Sequence, residues 1–504
     1  MPTGGEAFVQ ALRGLDVEVA FGLSGVHNLA AWKAFPASGV RLVGVRHEQS
    51  AGYAADGYAR ATGRLGVALT TTGPGAAHIA AATGEAWACY TPLLVLATDI
   101  PTTVRRPGQY RGVLHETTDQ ASFFRPVTKS VVRVERAQEL YERVVLAGRA
   151  ALRAPRRPVY VEVPTDLLSA EVPAPVELFT AEPAVFVRYV DDTVLQAVVA
   201  AQRPLLWAGG GATAASAATA VTALAERLGA PVLTSYGGRG LLPPDHPCLV
   251  PLPPHAPAAG ALWDAADLVL VLGSDLDAMS TQGFRRPRPP RLVTVDVVEP
   301  INVPPDHWVS GDVGRVLQEL LGLLPEASRP RWFDRPAGRP RSDGSAFLDA
   351  FESGLTDDAV VVADLCAAGD WYGDFGRVGQ PRGLAYPVGT LGFGLPAALG
   401  SCLSGRPTVA LVGNAGFLSA CGDLATAAQE HLPVTVVVVD DGTEPAPPDL
   451  VALAGAFDVP ATEVTAPQLG AAVADGIASH QPNLIVLRAR LDPPPGAPRN
   501  RARD

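Results

Sequence analysis

The sequence predicts an α/β protein with three doubly wound parallel-sheet domains, and two observations lead to this prediction. Short runs rich in valine and leucine alternate with alanine-rich helical stretches and glycine turns. This alternation is typical of parallel sheets that are covered by helices. The same rhythm occurs in three blocks, and a chain of 504 residues is expected to divide into two to four domains.

The three blocks give the predicted domain boundaries, which are residues 1–165, 188–325 and 345–490. Each block contains several strand candidates, such as GVALTTTG in the first, LVLVLGSD in the second and TVALVGN in the third. The stretches EVPAPVELFTAEPAV and EASRPRWFDRPAGRPRSDGS contain several prolines and no periodicity, which predicts linkers. Residues 491–504 have no apolar face to bury, so we expect a loose tail.

The composition narrows the class of function. A net charge of -11 argues against a nucleic-acid surface, because binding to phosphates needs clustered cations. We find no apolar run of membrane-spanning length and no N-terminal signal pattern. The five cysteines form no CxxC pair, so the sequence indicates neither a zinc site nor a disulfide framework. We therefore expect small-molecule chemistry in the cytoplasm, with no nucleic-acid or membrane partner.

Two neighbouring motifs of the first block carry candidate chemistry. In VRHEQSAGYAADGYARATG, Glu48 follows an apolar strand and begins a helix, where a carboxylate that leaves water needs a partner. The alternative is a helix-start carboxylate that the helix dipole favours. In TTTGPGAAH, the turn Gly73-Pro74-Gly75 presents backbone NH groups that suit an anion or a ring edge, although such a turn is more often structural.

A glycine turn in the third block has the features of a phosphate site. The stretch LVGNAGFLSAC predicts a strand that runs through Gly413, Asn414, Ala415 and Gly416 into a helix. A metal that accompanies a phosphate usually needs a carboxylate after the first glycine, yet this chain has Asn414 there. The turn is therefore a working site, a rewired site or the remains of one.

Four stretches together resemble a known family. RHEQSAGYAADGYAR, TTGPGAAH, TLGFGLPAALG and VGNAGFLSACGDLATAAQEHLPVTVVVVDDGT are similar, in this order, to segments of thiamine diphosphate-dependent enzymes of the acetolactate synthase and benzoylformate decarboxylase group. The resemblance covers nearly the whole chain and implies pyrimidine-binding, central and diphosphate-binding domains. It also implies thiamine diphosphate, Mg²⁺, a 2-oxo acid substrate and a homodimer or homotetramer, with active sites between the first domain of one subunit and the third domain of another.

The resemblance also implies individual roles. A carboxylate at the position of Glu48 hydrogen-bonds N1′ of the aminopyrimidine and promotes activation of the cofactor. An apolar side chain at Leu391 holds the cofactor bent, and the carbonyl of Gly389 accepts from its amino group; the alternative for Leu391 is an ordinary core position. The implied cofactor-binding residues are Glu48, Gly73, Pro74, Gly75, Gly389, Thr390, Leu391, Gly413, Ala415 and Gly416.

The metal ligands that the resemblance implies are exchanged in this chain. The family motif begins with Asp and ends with Asn 27 residues later, whereas here Asn414 comes first and Asp441 stands 27 residues on, since 441 - 414 = 27. One carboxylate and one amide oxygen form the same donor set in either order. Thr443 matches the position that supplies a backbone carbonyl. We therefore expect metal binding to be retained.

Three departures from the family pattern favour a different reading. Ala415 replaces a glycine in the turn, and Ala367 and Ala368 occupy positions that often carry polar side chains toward the diphosphate. The segment TEPAPP, which follows DDG, is shorter than the segment that covers the cofactor in relatives. These departures favour a homologue that has lost its cofactor and acts as a binding or scaffold protein.

Histidines supply the candidates for the substrate side. His27 follows FGLSGV, and His115 lies in a segment that aligns with a polar pair near the substrate in relatives. Both are candidate proton-handling residues, because imidazole titrates near neutrality. His78, where asparagine is common in relatives, is expected to serve in packing. WAGGGA in the central block lacks the full GxGxxG spacing, so we expect a structural role there.

The predicted function is a thiamine diphosphate- and Mg²⁺-dependent decarboxylase or carboligase that acts on a 2-oxo acid. TTGPG and RPVTK favour the acetolactate synthase branch over simple decarboxylation with release of an aldehyde. Glu48, His115 and His27 are the predicted catalytic residues, and Asn414, Asp441 and Thr443 are the predicted metal ligands.

Overall fold

A computed structural model describes residues 1–174, 190–444 and 446–496. It contains three sheets whose strand pairs are all parallel, with helices between the strands. The prediction of three doubly wound α/β domains is therefore confirmed. Most of the predicted linker at 171–185, and residues 497–504 of the predicted tail, lie outside the described residues.

The first sheet has six strands in the order β2-β1-β3-β4-β6-β5. Its strands are β1 Val19–Gly22, β2 Arg41–Gly44, β3 Gly66–Thr70, β4 Leu93–Asp99, β5 Ser130–Arg133 and β6 Val159–Pro164. The helices of this domain are α1 Gly4–Arg13, α2 Leu29–Ala34, α3 Glu48–Thr62, α4 Pro74–Ala88, α5 Leu140–Leu152 and α6 Thr165–Ser169.

The central sheet has five strands in the order β11-β10-β9-β7-β8. Its strands are β7 Pro204–Ala208, β8 Val232–Thr234, β9 Leu268–Leu272, β10 Leu292–Asp296 and β11 His307–Ser310. The helices are α7 Asp192–Ala200, α8 Gly210–Ala214, α9 Ala218–Leu228, α10 Pro257–Ala265 and α11 Val313–Leu323.

The third sheet has six strands in the order β13-β12-β14-β15-β17-β16. Its strands are β12 Val360–Ala363, β13 Leu384–Ala385, β14 Thr408–Gly413, β15 Val434–Asp440, β16 Ala461–Val464 and β17 Asn483–Arg488. The helices are α12 Asp343–Glu352, α13 Ala367–Phe375, α14 Gly394–Ser401, α15 Asn414–Ala420, α16 Leu424–Gln429, α17 Leu450–Gly455 and α18 Leu469–Ala478.

The first and third sheets have the same topology, and this topology positions the candidate motifs. In both sheets the chain builds outward in two directions from one central pair of strands, β1 and β3 in the first sheet and β12 and β14 in the third. A crevice opens at the carboxyl ends of such a pair, and open α/β sheets bind ligands there. The segments after β1 and β3 contain His27 and the GPG turn, and the segment after β14 contains Asn414.

Small residues bring the first and third domains of the chain together through α3 and α14. A Cβ on Gly57 of α3 would lie 2.0 Å from the carbonyl oxygen of Ala397, and a Cβ on Gly400 of α14 would lie 1.8 Å from that of Ala54. The hydroxyl of Ser401 also donates to the carbonyl of Gly57 at 3.0 Å. The two helix backbones therefore approach too closely for larger side chains at these glycines.

The first residues of the predicted tail pack against the third domain. Leu491 is buried in a core cluster and the indole of Trp371 donates to the carbonyl of Asp492, so the first residues of the predicted tail are anchored. Among the described residues, no helix combines the length and apolar character that crossing a membrane requires.

Candidate active site in two half-sites

Glu48 lies at the start of α3, directly after the segment that leaves β2. His47 caps this helix, because its Nδ1 accepts from the backbone NH of Gln49 at 3.1 Å. The Glu48 residue is only 7% exposed, and its Oε2 lies 3.0 Å from Nδ1 of His78 on α4. The carboxylate is therefore buried and has a hydrogen-bond partner. That partner is His78, for which the sequence predicted a role in packing.

The GPG turn connects β3 to α4 and lies against Glu48 and His115. Gly73 has a φ of 62°, and a Cβ on it would lie 2.4 Å from the carbonyl oxygen of His115. A Cβ on Gly75 would lie 3.1 Å from Oε1 of Glu48, with the side chains of Thr70 and Thr71 nearer still. The turn therefore requires glycine and unites two residues that are 67 positions apart, since 115 - 48 = 67.

Gln120 holds the turn in place and was missed by the sequence reasoning. The backbone NH of Gly73 donates to its Oε1 at 2.6 Å, while its Nε2 donates to Tyr160 and to Glu162. Burial raises the pKa of Glu162, and Asp99 adds to the effect. Gln120 lies five residues after His115, in the stretch HETTDQ, but nothing in that stretch indicates that its side chain turns inward.

His27 and His115 meet at the same end of the sheet. Their rings make an edge contact with centroids 5.5 Å apart, and Nδ1 of each is buried with no hydrogen-bond partner in the described chain. Burial lowers the pKa of His27, the neighbouring His115 lowers it further, and Asp99 opposes the shift. The pair thus contains two buried imidazole nitrogens that no group of the described chain satisfies.

His47, Glu48 and His78 have ligand atoms within 4.8 Å of one another, which raises the question of a metal site. The two imidazole rings are stacked, with centroids 4.7 Å apart and planes 26° from parallel. The lone pairs of imidazole nitrogens lie in the ring plane, so nearly parallel rings cannot aim them at one ion unless a ring turns. We interpret the group as a hydrogen bond between Glu48 and His78, with the ring of His47 stacked on that of His78.

The loop before α14 forms part of the second half-site, in the third domain. Leu391 is 49% exposed, which excludes the alternative of an ordinary core position. Asp364 fixes the loop, because its Oδ2 accepts from the backbone NH groups of Gly392 and Gly394. Burial raises the pKa of Asp364 although these NH groups oppose the shift. Thr390 hydrogen-bonds through its hydroxyl to Tyr53 on α3 of the same chain.

Asn414 begins α15, and its two amide atoms have different surroundings. Its Nδ2 donates to Oδ1 of Asp440, the last residue of β15. Its Oδ1 is buried and has no hydrogen-bond partner in the described chain. Asp441 is exposed, and its Oδ1 accepts from the backbone NH and the hydroxyl of Thr443 at 3.0 Å and 2.6 Å. The structure thus brings Asn414 to Asp440, a carboxylate that the spacing argument overlooked.

The turn between β14 and α15 retains its close contacts despite its alanine. A Cβ on Gly416 would lie 2.4 Å from Oδ2 of Asp364, and a Cβ on Gly413 would lie 2.9 Å from Cβ of Cys366. Ala415, in contrast, is exposed, so the methyl group that replaces a family hydrogen lies on the open side of the turn. Ala368 is buried in the core, and its methyl group does not line the crevice.

Comparison with known proteins identifies all three domains. The profile of the thiamine pyrophosphate enzyme N-terminal TPP-binding domain matches residues 2–123. The profile of the central domain matches residues 192–320, and that of the C-terminal TPP-binding domain matches residues 368–444. Thiamine pyrophosphate and thiamine diphosphate are the same compound, so the cofactor class that the sequence predicted is confirmed.

Similar proteins include both decarboxylases and carboligases. The chain is 35% identical over 452 residues to a probable 2-ketoarginine decarboxylase of Pseudomonas aeruginosa, covering 85% of this chain and 80% of the relative. It is 31% identical over 483 residues to an acetolactate synthase of Mycobacterium bovis, covering 87% and 76%. A solved 4-hydroxybenzoylformate decarboxylase of Rhodococcus jostii shares the fold, with a TM-score of 0.83, 24% identity and coverage of 97% and 100%. The chain therefore belongs to the thiamine pyrophosphate enzyme family, whose members cleave or form carbon–carbon bonds.

Proposed function

We propose that this protein decarboxylates a 2-oxo acid with thiamine diphosphate and Mg²⁺, and that Glu48 activates the cofactor. The observation that carries the proposal is the burial of Glu48 beside the GPG turn. A carboxyl group that is shielded from water can make a strong hydrogen bond to a ring nitrogen of the cofactor, and this chemistry needs such a contact. When bound, thiamine diphosphate would supply a nucleophilic carbon and would take up the electron pair that remains on the substrate when carbon dioxide leaves.

The loop and turn of the third domain are the proposed cradle for the cofactor. Leu391 is exposed and within 3.7 Å, through Cδ1, of the Cβ position of Gly416, so one apolar side chain borders both the loop and the turn. Gly389 is exposed and has open space around its Cβ position, and its carbonyl is the proposed acceptor for the amino group of the cofactor. Together with Gly413 and Ala415, these residues are the proposed surface against which a bent cofactor would lie.

Mg²⁺ fits the donors that surround Asn414. Asp440 fixes the amide nitrogen of Asn414, which leaves the amide oxygen buried and without a partner. An unpartnered buried oxygen is costly, and a hard cation satisfies it. Asp441 then supplies the carboxylate and Thr443 its backbone carbonyl. In this proposal Asn is favoured over Asp at position 414, because the amide nitrogen of Asn414 donates to Asp440 and a carboxylate at that position could not.

His27 and His115 are the proposed proton-handling residues for the substrate. His115 lies against the GPG turn through its backbone carbonyl and Cβ, and its ring contacts the ring of His27. In this proposal the unpartnered Nδ1 atoms of the two rings accept from or donate to a bound 2-oxo acid. The lowered pKa of His27 keeps this imidazole neutral at physiological pH. We propose that the pair holds and moves protons while the apolar surroundings exclude water.

A second copy of the chain is proposed to complete each site. Large apolar side chains are exposed at both half-sites: Val26, Leu114 and Phe123 in the first domain, and Val388 and Leu391 in the third. A monomer rarely exposes such a group of side chains without a partner. A homodimer or homotetramer that joins the first domain of one copy to the third domain of another would cover both groups. Sedimentation of the purified protein should therefore report no monomer at micromolar concentration.

The location of the protein is proposed to be the cytoplasm. All five cysteines are free, which fits a reducing compartment. Fractionation of the source cells tests this proposal, since recovery of the protein outside the cytoplasm would contradict it.

Calorimetry tests the main proposal. Titration with thiamine diphosphate in the presence of Mg²⁺ should give saturable heat, and a cofactor at 100 times its Kd should stabilise the fold by ~2.7 kcal/mol. The same titration of Glu48→Gln is the matched comparison, because this change removes the charge and keeps the shape. Absence of heat and of thermal stabilisation at millimolar cofactor would favour the scaffold alternative, which the alanines near the turn suggested.

Two reaction outcomes remain distinct candidates after decarboxylation. Similarity to acetolactate synthases favours joining of the acyl group to a second carbonyl, whereas the 35% identity to a probable 2-ketoarginine decarboxylase favours release of an aldehyde. We favour carboligation, because TTGPG and RPVTK follow that branch. Incubation with pyruvate and separation of the products tests the choice: acetolactate supports carboligation, and acetaldehyde alone would overturn it.

A further inference from the structure

The contact between Glu48 and His78 joins the carboxylate to a residue that the family pattern does not use. The family resemblance implies asparagine at the position of His78, after the GPG turn. Here Nδ1 of His78 lies 3.0 Å from Oε2 of Glu48, whereas Oε1 of Glu48 faces the GPG turn. Oε2 of Glu48 thus contacts His78, and Oε1 remains for a ring that enters beside the turn.

The orientation of the His78 ring is itself fixed. It stacks on the ring of His47, with centroids 4.7 Å apart. His47 cannot turn freely, because its Nδ1 caps α3 by accepting from the NH of Gln49. The side chain of His78 is 51% exposed while that of Glu48 is 10% exposed, so the imidazole lies between a nearly dry carboxylate and the solvent.

Imidazole adds a capability that an amide lacks. Asparagine at this position can donate a hydrogen bond to a carboxylate but cannot take up a proton near neutral pH. Imidazole has two ring nitrogens, so it can accept a proton at one nitrogen while it releases a proton from the other. The position, the burial of Glu48 and the exposure of His78 together form a path for one proton.

We propose that His78 is a positioning residue that orients Glu48 and exchanges a proton between this carboxyl and water. A proton leaves Oε2 of Glu48 for Nδ1 of His78 while Nε2 of His78 releases its proton to water, and the reverse step recharges the carboxyl. No other bond changes in either direction. This inference rests on the proposed function, because it concerns the residue that activates the cofactor there.

Two substitutions separate orientation from proton exchange. His78→Asn keeps a hydrogen-bond donor for Glu48 and removes the exchangeable ring proton, whereas His78→Ala removes both. The measurements are the calorimetric Kd of thiamine diphosphate with Mg²⁺ and the rate of deuterium exchange at C2 of the bound cofactor, read by NMR after acid quenching. His480→Asn, at an exposed turn position with φ 50° that asparagine tolerates, is the control for a histidine change elsewhere.

The expected pattern is a split between affinity and exchange. His78→Asn should keep the Kd within about threefold of the wild-type value. Its C2 exchange should slow on the order of tenfold or more, since positioned proton transfer contributes at least that much. His78→Ala should weaken binding and slow exchange, and His480→Asn should change neither quantity.

The inference and the proposed function fail in different ways. If wild-type protein binds no cofactor, or binds it without faster C2 exchange than Glu48→Gln, the proposed function is wrong. If wild-type protein shows fast exchange that depends on Glu48 and His78→Asn exchanges at the same rate, the role of His78 is overturned while the proposed function stands.

Discussion

Gly75 is a residue at which one added methyl group should disturb the first half-site. A Cβ there would lie 2.7 Å from Cγ2 of Thr71 and 3.1 Å from Oε1 of Glu48. We expect Gly75→Ala to cost ~1–3 kcal/mol of unfolding free energy through overpacking. It should also raise the Kd of the cofactor, because the carboxylate must shift. Thermal unfolding and calorimetry measure the two effects.

Gly84 provides the matched control on the same helix. Its Cβ position has only Cγ1 of Val127 nearby, at 3.6 Å. Gly84→Ala should therefore stabilise α4 by up to ~1 kcal/mol, since alanine is the better helix former, and leave the cofactor Kd unchanged. Equal loss of affinity in both variants would contradict the steric explanation.

The lowered pKa of His27 predicts a specific acid sensitivity. A buried neutral imidazole binds a proton less readily than the same imidazole in the unfolded chain, where its pKa is near 6.5. The stability that it contributes is present above pH 6.5 and is lost as the pH falls through the lower folded pKa. His27→Gln should therefore lose less melting temperature than wild-type protein between pH 7.5 and pH 5. An unchanged pH dependence would show that His27 does not titrate as its burial indicates.

Asn414 and Asp440 form a hydrogen-bonded pair. Swapping the two residue types should destabilise the protein less than changing Asn414 alone. Asn414→Asp places a second carboxylate against the buried Asp440 and removes a donor, which should cost ~1–3 kcal/mol in the absence of metal. Adding Asp440→Asn restores a donor and an acceptor, so the double variant should recover most of the lost stability. Chemical unfolding in the presence of a chelator measures both values.

A second double variant, changed at Asn414 and Asp441, separates the effect on metal-free stability from the effect on Mg²⁺ affinity. If Asp441 is the metal carboxylate, Asn414→Asp with Asp441→Asn should regain Mg²⁺ affinity but not the metal-free stability. The opposite result, with Mg²⁺ affinity regained only when Asp440 is changed, would identify Asp440 as the ligand.

At the scale of elements, α17 follows the short segment that leaves the metal-ligand loop, and Asp449 caps it. The carboxylate of Asp449 accepts from the NH groups of Val451 and Ala452. Asp449→Ala should cost about 1 kcal/mol of local stability, speed amide exchange in α17 and weaken cofactor binding if this helix helps to close the site. Hydrogen exchange and calorimetry report the two effects.

An equivalent cap in the central domain serves as the control. Asp191 caps α7 by accepting from the NH of Val194. Asp191→Ala should loosen its helix by a similar amount without changing the cofactor Kd. If both variants weaken binding equally, the effect arises from general destabilisation and not from α17.

Most elements that carry motifs could be predicted from the sequence. β3, β14 and β15 are apolar runs that end at glycine turns or acidic residues, and such runs read as buried parallel strands. The start of α3 at Glu48 and of α4 at Pro74 follow from local rules, because proline is favoured in the first turn of a helix. These features depend on neighbours in the chain, which periodicity and turn chemistry detect.

The contacts that define the site depend on residues far apart in the chain, and the sequence could not give them. The spacing of 27 residues indicated Asp441 opposite Asn414, whereas the side chain that Asn414 contacts is that of Asp440. The two aspartates are adjacent, and a strand turns successive side chains to opposite faces. The inward turn of Gln120 and the contact between Glu48 and His78 are likewise properties of the packed fold.

For the whole molecule, the two half-sites belong to domains with the same strand order, and the chain exposes apolar side chains at both. In the proposed dimer, each active site takes Glu48 from one copy and the cradle around Leu391 and Asp441 from the other. In a dimer of one chain that is defective at Glu48 and one that is defective at the cradle, both defects fall in the same active site. The other active site is intact, so a mixture of the two inactive variants should regain activity.

The most direct test mixes Glu48→Gln protein with Asp441→Ala protein, lets the subunits exchange and measures carbon dioxide release from a 2-oxo acid with thiamine diphosphate and Mg²⁺. Each variant alone should be nearly inactive. If half of the dimers are mixed and each has one intact site, the mixture should regain roughly a quarter of wild-type activity. A mixture proven to contain mixed dimers that stays as inactive as its parents, beside an active wild type, would contradict the account of a site shared between two copies.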